Sequence, residues 1–150
     1  MKLPRDAQRS WNSGAASVEL ALLAPALILL MAATWDFGRA VQESSRLAAA
    51  ARAGAQYGMQ SVETAVDTAA IAQAVRDDAQ DSANALTVAS TRTCQCPGGG
   101  AVACDGSCGA SGAAQVFVRV QVTAPFETLF PYPFVQSPLS LGGAAVMRAQ

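Results

Sequence analysis

Residues 14–40 read GAASVELALLAPALILLMAATWDFGRA, and this stretch decides how the chain is organised. Residues 20–34 carry no charge, and extending back to Ala15 gives about 20 residues, enough to cross a hydrocarbon core of roughly 30 Å. Lys2, Arg5 and Arg9 precede the run and only Asp6 opposes them. The positive-inside tendency therefore holds residues 1–14 in the cytoplasm and sends the chain after Trp35 outward. Trp35 and Phe37 suit the aromatic belt at the outer interface. A cleaved secretory signal is the plain alternative, but it needs small residues just before a cut at the end of the apolar run. Cleavage after Ala33 would put Met31 in one of those places, and the Ala24-Pro25-Ala26 triplet lies inside the run, so a retained anchor fits better.

Glu19 is the oddity. An unpaired carboxylate a turn inside an apolar span costs about 2 kcal/mol or more, so it requires a partner or a function. Gly14 stands before it, and a cut after Gly14 would create an α-ammonium at Ala15, four residues ahead of Glu19. Positions i and i+4 share a helix face. The new cation can thus neutralise the anion of its own chain or that of a neighbour stacked with a small axial offset. Pro25, mid-span, removes one backbone donor and is either a tolerated membrane proline or a hinge.

A basic leader, Gly14, Glu19 as the fifth residue after the cut and then an apolar helix resemble the prepilin-peptidase site of the type IV pilin superfamily. The stretch 14–40 is most similar to the TadE-like pseudopilins of tight-adherence (Flp) pilus systems. The resemblance implies leader removal by a prepilin peptidase at Gly14–Ala15 and retention in the bacterial inner membrane as a single-pass protein. It implies partners in the prepilin peptidase, other pilins and pseudopilins, the inner-membrane assembly platform and the lipid bilayer. It also implies structural work rather than catalysis. The family often has an aromatic after the acid, where this chain has Leu20, a departure that weakens a major-pilin reading more than a pseudopilin one. The domain organisation expected is a leader over 1–14, a transmembrane helix over 15–35 and a periplasmic pilin-like α+β domain over 36–150.

Beyond the span, Phe37, Val41, Ala48, Ala51, Ala55 and Met59 keep a helical spacing, which predicts one helix over residues 15–57, about 65 Å long at 1.5 Å per residue. The alanines at 48–51, 53 and 55 allow close helix approach, with Arg39, Arg46 and Arg52 as polar flanks. That pattern serves a plain helix with a solvated face or an assembly face. Gly54 and Gly58 mark the end of the stem, and Ser61 is placed to cap a second helix over about residues 62–81, with its stripe at Val62, Val66, Ala69, Val75 and Ala79 and Ile71 beside it. Leu86 and Val88 open a strand pattern. Val116, Val118, Val120 and Val122 alternate with Gln115, Phe117, Arg119 and Gln121, predicting a strand over 115–123. A third strand over 139–147 contains Gly142 and Gly143, which suggest a bulge or an edge. The fold class expected is α+β: the long helix continuing into a periplasmic stem, a second helix and a small antiparallel sheet with a stapled hairpin.

Cys94, Cys96, Cys104 and Cys108 all fall in CQCPGGGAVACDGSCGASG at 94–112. Four thiols can bind zinc or close two disulfides; only one residue separates Cys94 from Cys96 and the expected compartment is oxidising, so disulfides are favoured and metal is not. No Cys-x-x-Cys pair is present for redox catalysis. A hairpin brings its flanks together in nested order, which predicts Cys94–Cys108 and Cys96–Cys104. Pro125, Pro131, Pro133 and Pro138 mark an irregular segment whose Phe126, Leu129, Phe130, Tyr132 and Phe134 are expected to cover the sheet, with a contact surface as the alternative. The valine-rich strand, this segment and the closing GGAAVMR again resemble TadE-like proteins, although the cysteine hairpin has no place in that pattern.

The composition argues against several functions. There is no histidine, the commonest general base and metal ligand, so an enzyme has little to work with. A net charge of −1 offers no footprint for nucleic acid. Asp77, Asp78 and Asp81 lack calcium-loop spacing and read as a solvated face, and the glycines at 98–100 lack the lysine of a phosphate loop. No cofactor is expected. The competing reading is an uncleaved anchor that displays a stapled head as a periplasmic interaction module.

Overall fold

Alanine and leucine, both strong helix formers, dominate the first third of the chain, and Pro25 is the one proline inside the helix they form; the result is a single 53-residue helix, α1, over Asp6–Gly58. The computed structural model describes residues 6–81, 85–109, 112–132 and 135–149, with side chains from Gly14 onward. Lys2, Arg5, the side chains of Asp6 and Arg9, and the segment residues Pro133 and Phe134 lie outside the described residues. The chain divides into two compact units at Arg39/Ala40. In the first, α1 runs without a break through Pro25. The second contains everything after Ala40.

After α1 the single helix expected over 62–81 is replaced by two elements, a 3-10 turn at Thr64–Val66 and α2 at Thr68–Ala79. Ser61 and Thr64 hold the turn reciprocally: the Thr64 N–H donates to Ser61 Oγ at 3.1 Å, and the Ser61 N–H donates to Thr64 Oγ1 at 2.9 Å. The chain then opens at Asp67 (φ −80°, ψ 79°), whose carboxylate accepts from the Ala70 N–H at 2.9 Å and caps α2. Ser61 therefore braces the short turn, whose N-cap position is Glu63, and the helix cap is Asp67. Val62 and Val66, expected on the buried stripe, are half exposed, while Ile71, Val75 and Ala79 line the core face.

At its far end α2 closes with Gln80 in the left-handed region (φ 54°), and the Asp81 N–H bonds the Arg76 carbonyl at 2.9 Å, the pattern of a Schellman motif. Asp81 itself accepts from the Leu86 N–H at 3.0 Å and the Ala85 N–H at 3.1 Å. The Leu86 bond foremost, with the Ala85 bond and the nearby Arg76 and Arg46 charges, holds the Asp81 carboxyl below its ordinary value of 3.8 against a smaller desolvation effect. Arg46 of α1, expected to be solvated, donates to the Ala79 carbonyl at 2.7 Å and is held by Glu43 at 2.8 Å, tying the stem to the C-terminal end of α2.

The sheet is antiparallel, in the order β2-β1-β3-β4, with β1 at Thr87–Gln95, β2 at Ala101–Val102, β3 at Gln115–Phe126 and β4 at Leu139–Arg148. Val118, Val120, Val122, Ala124 and Phe126 of β3 point inward and are buried, as the period-two pattern requires. Val118, Val120, Val122 and Ala124 form one core cluster with Leu47, Ala50, Ala51 and Ala55 of α1 and Ile71 and Val75 of α2. Pro125 is tolerated because it sits at the end of β3, past the last β1 partner, and opposite Ser140.

Three glycines set how closely these layers approach. A Cβ on Gly54 would lie 2.5 Å from Val75 Cγ2, and one on Gly58 would lie 2.9 Å from Val118 Cγ1. A Cβ on Gly143 would lie 2.5 Å from the Leu47 carbonyl carbon, so here strand backbone rests directly on helix backbone. The glycine pair in β4 thus lies in an edge strand in regular register, without a bulge, and Gly143 of the pair packs on α1.

The cysteines form two disulfides, Cys94–Cys104 (Cα–Cα 5.1 Å) and Cys96–Cys108 (Cα–Cα 5.5 Å). This overturns the nested pairing Cys94–Cys108 and Cys96–Cys104. The reason is register. The hairpin closes tightly, with the Cys96 N–H donating to the Gly100 carbonyl at 2.8 Å and Cys94 facing Val102, so the second strand ends before either remaining cysteine is opposite its nested partner. A turn closed by the Gly106 N–H on the Ala103 carbonyl then returns Cys104 to Cys94, and Cys108, four residues on, meets Cys96. The Pro/aromatic segment also departs from expectation. Phe126 is buried within β3 and Tyr132 is half-buried, but Leu129 and Phe130 are exposed, so they do not cover the sheet.

Two outcomes follow. Gly143→Ala is expected to destabilise the full chain in detergent by about 1–3 kcal/mol in urea unfolding, while Gly142→Ala stays within about 0.5 kcal/mol. Cys94→Ser is expected to free Cys104, so that alkylation in denaturant followed by peptide mass mapping labels Cys104; label on Cys108 instead would restore the nested pairing.

Candidate functional site

The site singled out by sequence is the start of the apolar helix. Gly14, Ala15 and Glu19 all lie in α1, and the helical repeat puts Ala15 and Glu19 on one face, one turn apart. A Cβ on Gly14 would meet nothing within 4 Å, so this glycine has no packing reason in the isolated chain. Glu19 is exposed among apolar neighbours, with Val18 and Leu20 on either side also more than 60% exposed.

The helix around it is apolar on every side. Leu27, Ile28, Leu29, Leu30 and Met31 are consecutive, turn through more than a full circle and are all exposed. The most apolar 18-residue window of α1 has a mean hydropathy of 2.1, and none of it is buried inside the protein. A helix of this kind is a core helix without a core, or a helix whose solvent is lipid. Thr34, the polar residue near the end of the run, satisfies its hydroxyl within the helix, donating to the Leu30 carbonyl at 2.7 Å. Among the described residues α1 is thus the one helix long and apolar enough to cross a membrane, and it lies near the N-terminus.

Just past the span, Asp36 is 5% exposed and Arg39 Nη1 donates to its Oδ1 at 3.2 Å. Neither residue was singled out by sequence reasoning as a pair, although an acid placed directly after an apolar run, three residues before an arginine, is a readable i,i+3 signal. Arg46 was missed in the same way: its role at the end of α2 depends on a contact 33 positions away in sequence.

The other candidates do not assemble into a reactive centre. All four cysteines are consumed in disulfides. Asp77 accepts from Gln73 Nε2 at 2.7 Å and Asp81 is committed to backbone N–H groups, so the acidic trio is divided between local structural tasks. Among the described residues no group of three or more histidine, cysteine, aspartate or glutamate side chains is placed to hold a metal ion. A cleft of about 240 Å³ opens at the end of the sheet between Thr87, Pro125, Pro138 and Leu139, without a titratable side chain in its lining.

No curated protein and no solved structure matches the chain. Residues 14–56 match the family model described as TadE-like protein. The matched segment begins at Gly14 and ends two residues before the end of α1, taking in Ala15, Glu19, the apolar span and the alanine-rich stem. Over residues 14–56 the long N-terminal helix is therefore similar to TadE-like proteins.

Proposed function

We propose that the chain is a minor pilin or pseudopilin of a tight-adherence (Flp) pilus system, working as a structural part in assembling or anchoring the pilus. A prepilin peptidase removes residues 1–14 at Gly14–Ala15, the span remains in the inner membrane and the domain after Trp35 lies in the periplasm. The observation that carries this reading is Glu19: an exposed acid in an unburied apolar helix, one turn from Ala15, inside the segment that matches TadE-like proteins. In lipid the carboxylate needs a counter-charge, and the ammonium created at Ala15 supplies it. When the partner ammonium belongs to a neighbour, neutralisation and lateral assembly are the same event. Exposed leucines around the span then pack against other pilin-type helices, and the assembly platform receives a helix already committed to the bilayer.

One observation favours the alternative, an uncleaved membrane-anchored periplasmic interaction module. α1 is continuous from Asp6, so the Gly14–Ala15 peptide lies inside a helix, whereas cleavage favours accessible, locally unfolded backbone. The two readings separate on the N-terminus. Intact mass and N-terminal sequence of the membrane-purified protein should show loss of residues 1–14 only when a prepilin peptidase is present; retention of the leader in the working protein contradicts the pilin reading. Glu19→Ala is expected to be cleaved like the native chain and recovered at least about tenfold less in high-mass membrane complexes, the equivalent of losing about 1.4 kcal/mol of association. Normal recovery of that variant would remove Glu19 from the mechanism.

A further inference from the structure

The two edges of the sheet are built differently. β2, at one edge, is two residues long and lies inside the loop closed by Cys94–Cys104, so it offers almost no ladder to a further strand. β4, at the other, runs for ten residues, about twice the usual strand. It contains no proline, no lysine and no acid, it pairs with β3 without a bulge, and Arg148 is its one charge. Proline, lysine and bulges are the devices that usually close an edge against pairing, and β4 has none of them.

The bonding direction of β4 follows from its register. The Ala149 N–H donates to the Val116 carbonyl at 2.8 Å, so in antiparallel alternation Met147, Ala145, Gly143 and Leu141 bond towards β3. The N–H and C=O groups of Ser140, Gly142, Ala144, Val146 and Arg148 consequently point away from the sheet. All five residues are exposed, and these backbone groups have no partner among the described residues. On the core side, Leu141, Ala145 and Met147 are only partly buried, whereas Val118, Val120 and Val122 of the neighbouring strand are wholly buried. One more strand completes both the ladder and the apolar layer.

α1 limits what that strand can be. Leu47 and Ala48 rest on Gly143, so a second copy joining edge to edge through its own β4 would seat its α1 over the adjoining strand, roughly 5–7 Å to the side. Packed helices stand about 8–10 Å apart. A lone extended segment brings no helix and meets no such conflict. Arg148 adds a requirement of charge: the ion pairs among the described residues are Arg39–Asp36 and Arg46–Glu43, which leaves its guanidinium without an acid among them.

We infer that β4 is a strand-addition site for an extended, otherwise uncharged segment of a partner protein. The segment pairs antiparallel with the five outward residues, lays apolar side chains beside Leu141, Ala145 and Met147 and sets an acid against Arg148. Its backbone supplies the affinity and its alternate side chains the selectivity. Strand addition here depends neither on leader cleavage nor on a membrane span.

The test uses the full chain, nitrogen-15 labelled, in detergent micelles, and a capped peptide of about nine residues that begins with aspartate and then alternates valine with threonine. Amide hydrogen exchange is read by NMR along β4. In the chain alone, the Gly142, Ala144 and Val146 amides are expected to exchange freely while those of Leu141, Gly143 and Ala145 are protected. At about 1 mM the peptide is expected to slow the first set about tenfold, as a dissociation constant of about 0.1 mM requires. Lysine in place of the aspartate weakens the effect. Ala144→Pro removes an N–H that faces outward, so it abolishes the effect while Gly143 and Ala145 stay protected. Protection of Gly142, Ala144 and Val146 in the chain alone means that the edge is already covered, by the chain itself or by a second copy, and overturns the inference. So does exchange that the peptide leaves unchanged, or that a peptide N-methylated at its bonding positions slows equally.

Discussion

A single helix, α1, meets two different surroundings along its length, and both halves rely on small or apolar side chains to do so. Over residues 47–58 it must lie against α2 and the sheet, and alanine at 50, 51 and 55 with glycine at 54 and 58 lets it approach closely. The contact at Gly143 is the tightest, because strand backbone meets helix backbone there. Few large side chains are available to the head, so its core depends on this closeness: Leu47, Ile71, Val75 and three valines of β3 are its largest fully buried residues. Arg46 and Asp81 add polar ties at the end of α2, and two disulfides staple the far end of β1.

The apolar window of α1 is not buried inside the protein, and there the demand is electrostatic. Every exposed residue from 20 to 34 is compatible with hydrocarbon, and Glu19 alone is not. Within our account this one misfit turns an anchor into a part: the span is fully at ease only after a cation arrives at the position one turn earlier. Proteolysis, insertion and lateral pairing become steps that depend on each other through a single charge.

Those features that follow from periodicity were legible in the sequence. The span, the continuous stem, the β3 strand with Val118, Val120 and Val122 inward, and β4 with its glycines as an edge all follow from spacing and composition. What was misjudged depends on register or on competition between neighbouring signals. Ser61 and Asp67 are both good caps six residues apart, and only the geometry of Asp67 shows which one begins the helix. The disulfide pairing turned on where the hairpin closes, at Cys96 and Gly100, which four cysteines and a run of glycines do not specify. Arg46 looked like a solvated flank because its partner, the Ala79 carbonyl, is a backbone atom and has no sequence signature.

The central claim is that the Glu19 carboxylate is ionised in the bilayer and lies against an α-ammonium at Ala15, of its own chain or of a neighbour. The direct measurement is solid-state NMR on the leader-free chain in lipid, with nitrogen-15 at the Ala15 amine and carbon-13 at the Glu19 carboxyl. The account predicts a carboxylate chemical shift and a dipolar coupling corresponding to about 4 Å or less, the reach of an ion pair. A protonated carboxyl with no coupling to the amine would contradict it.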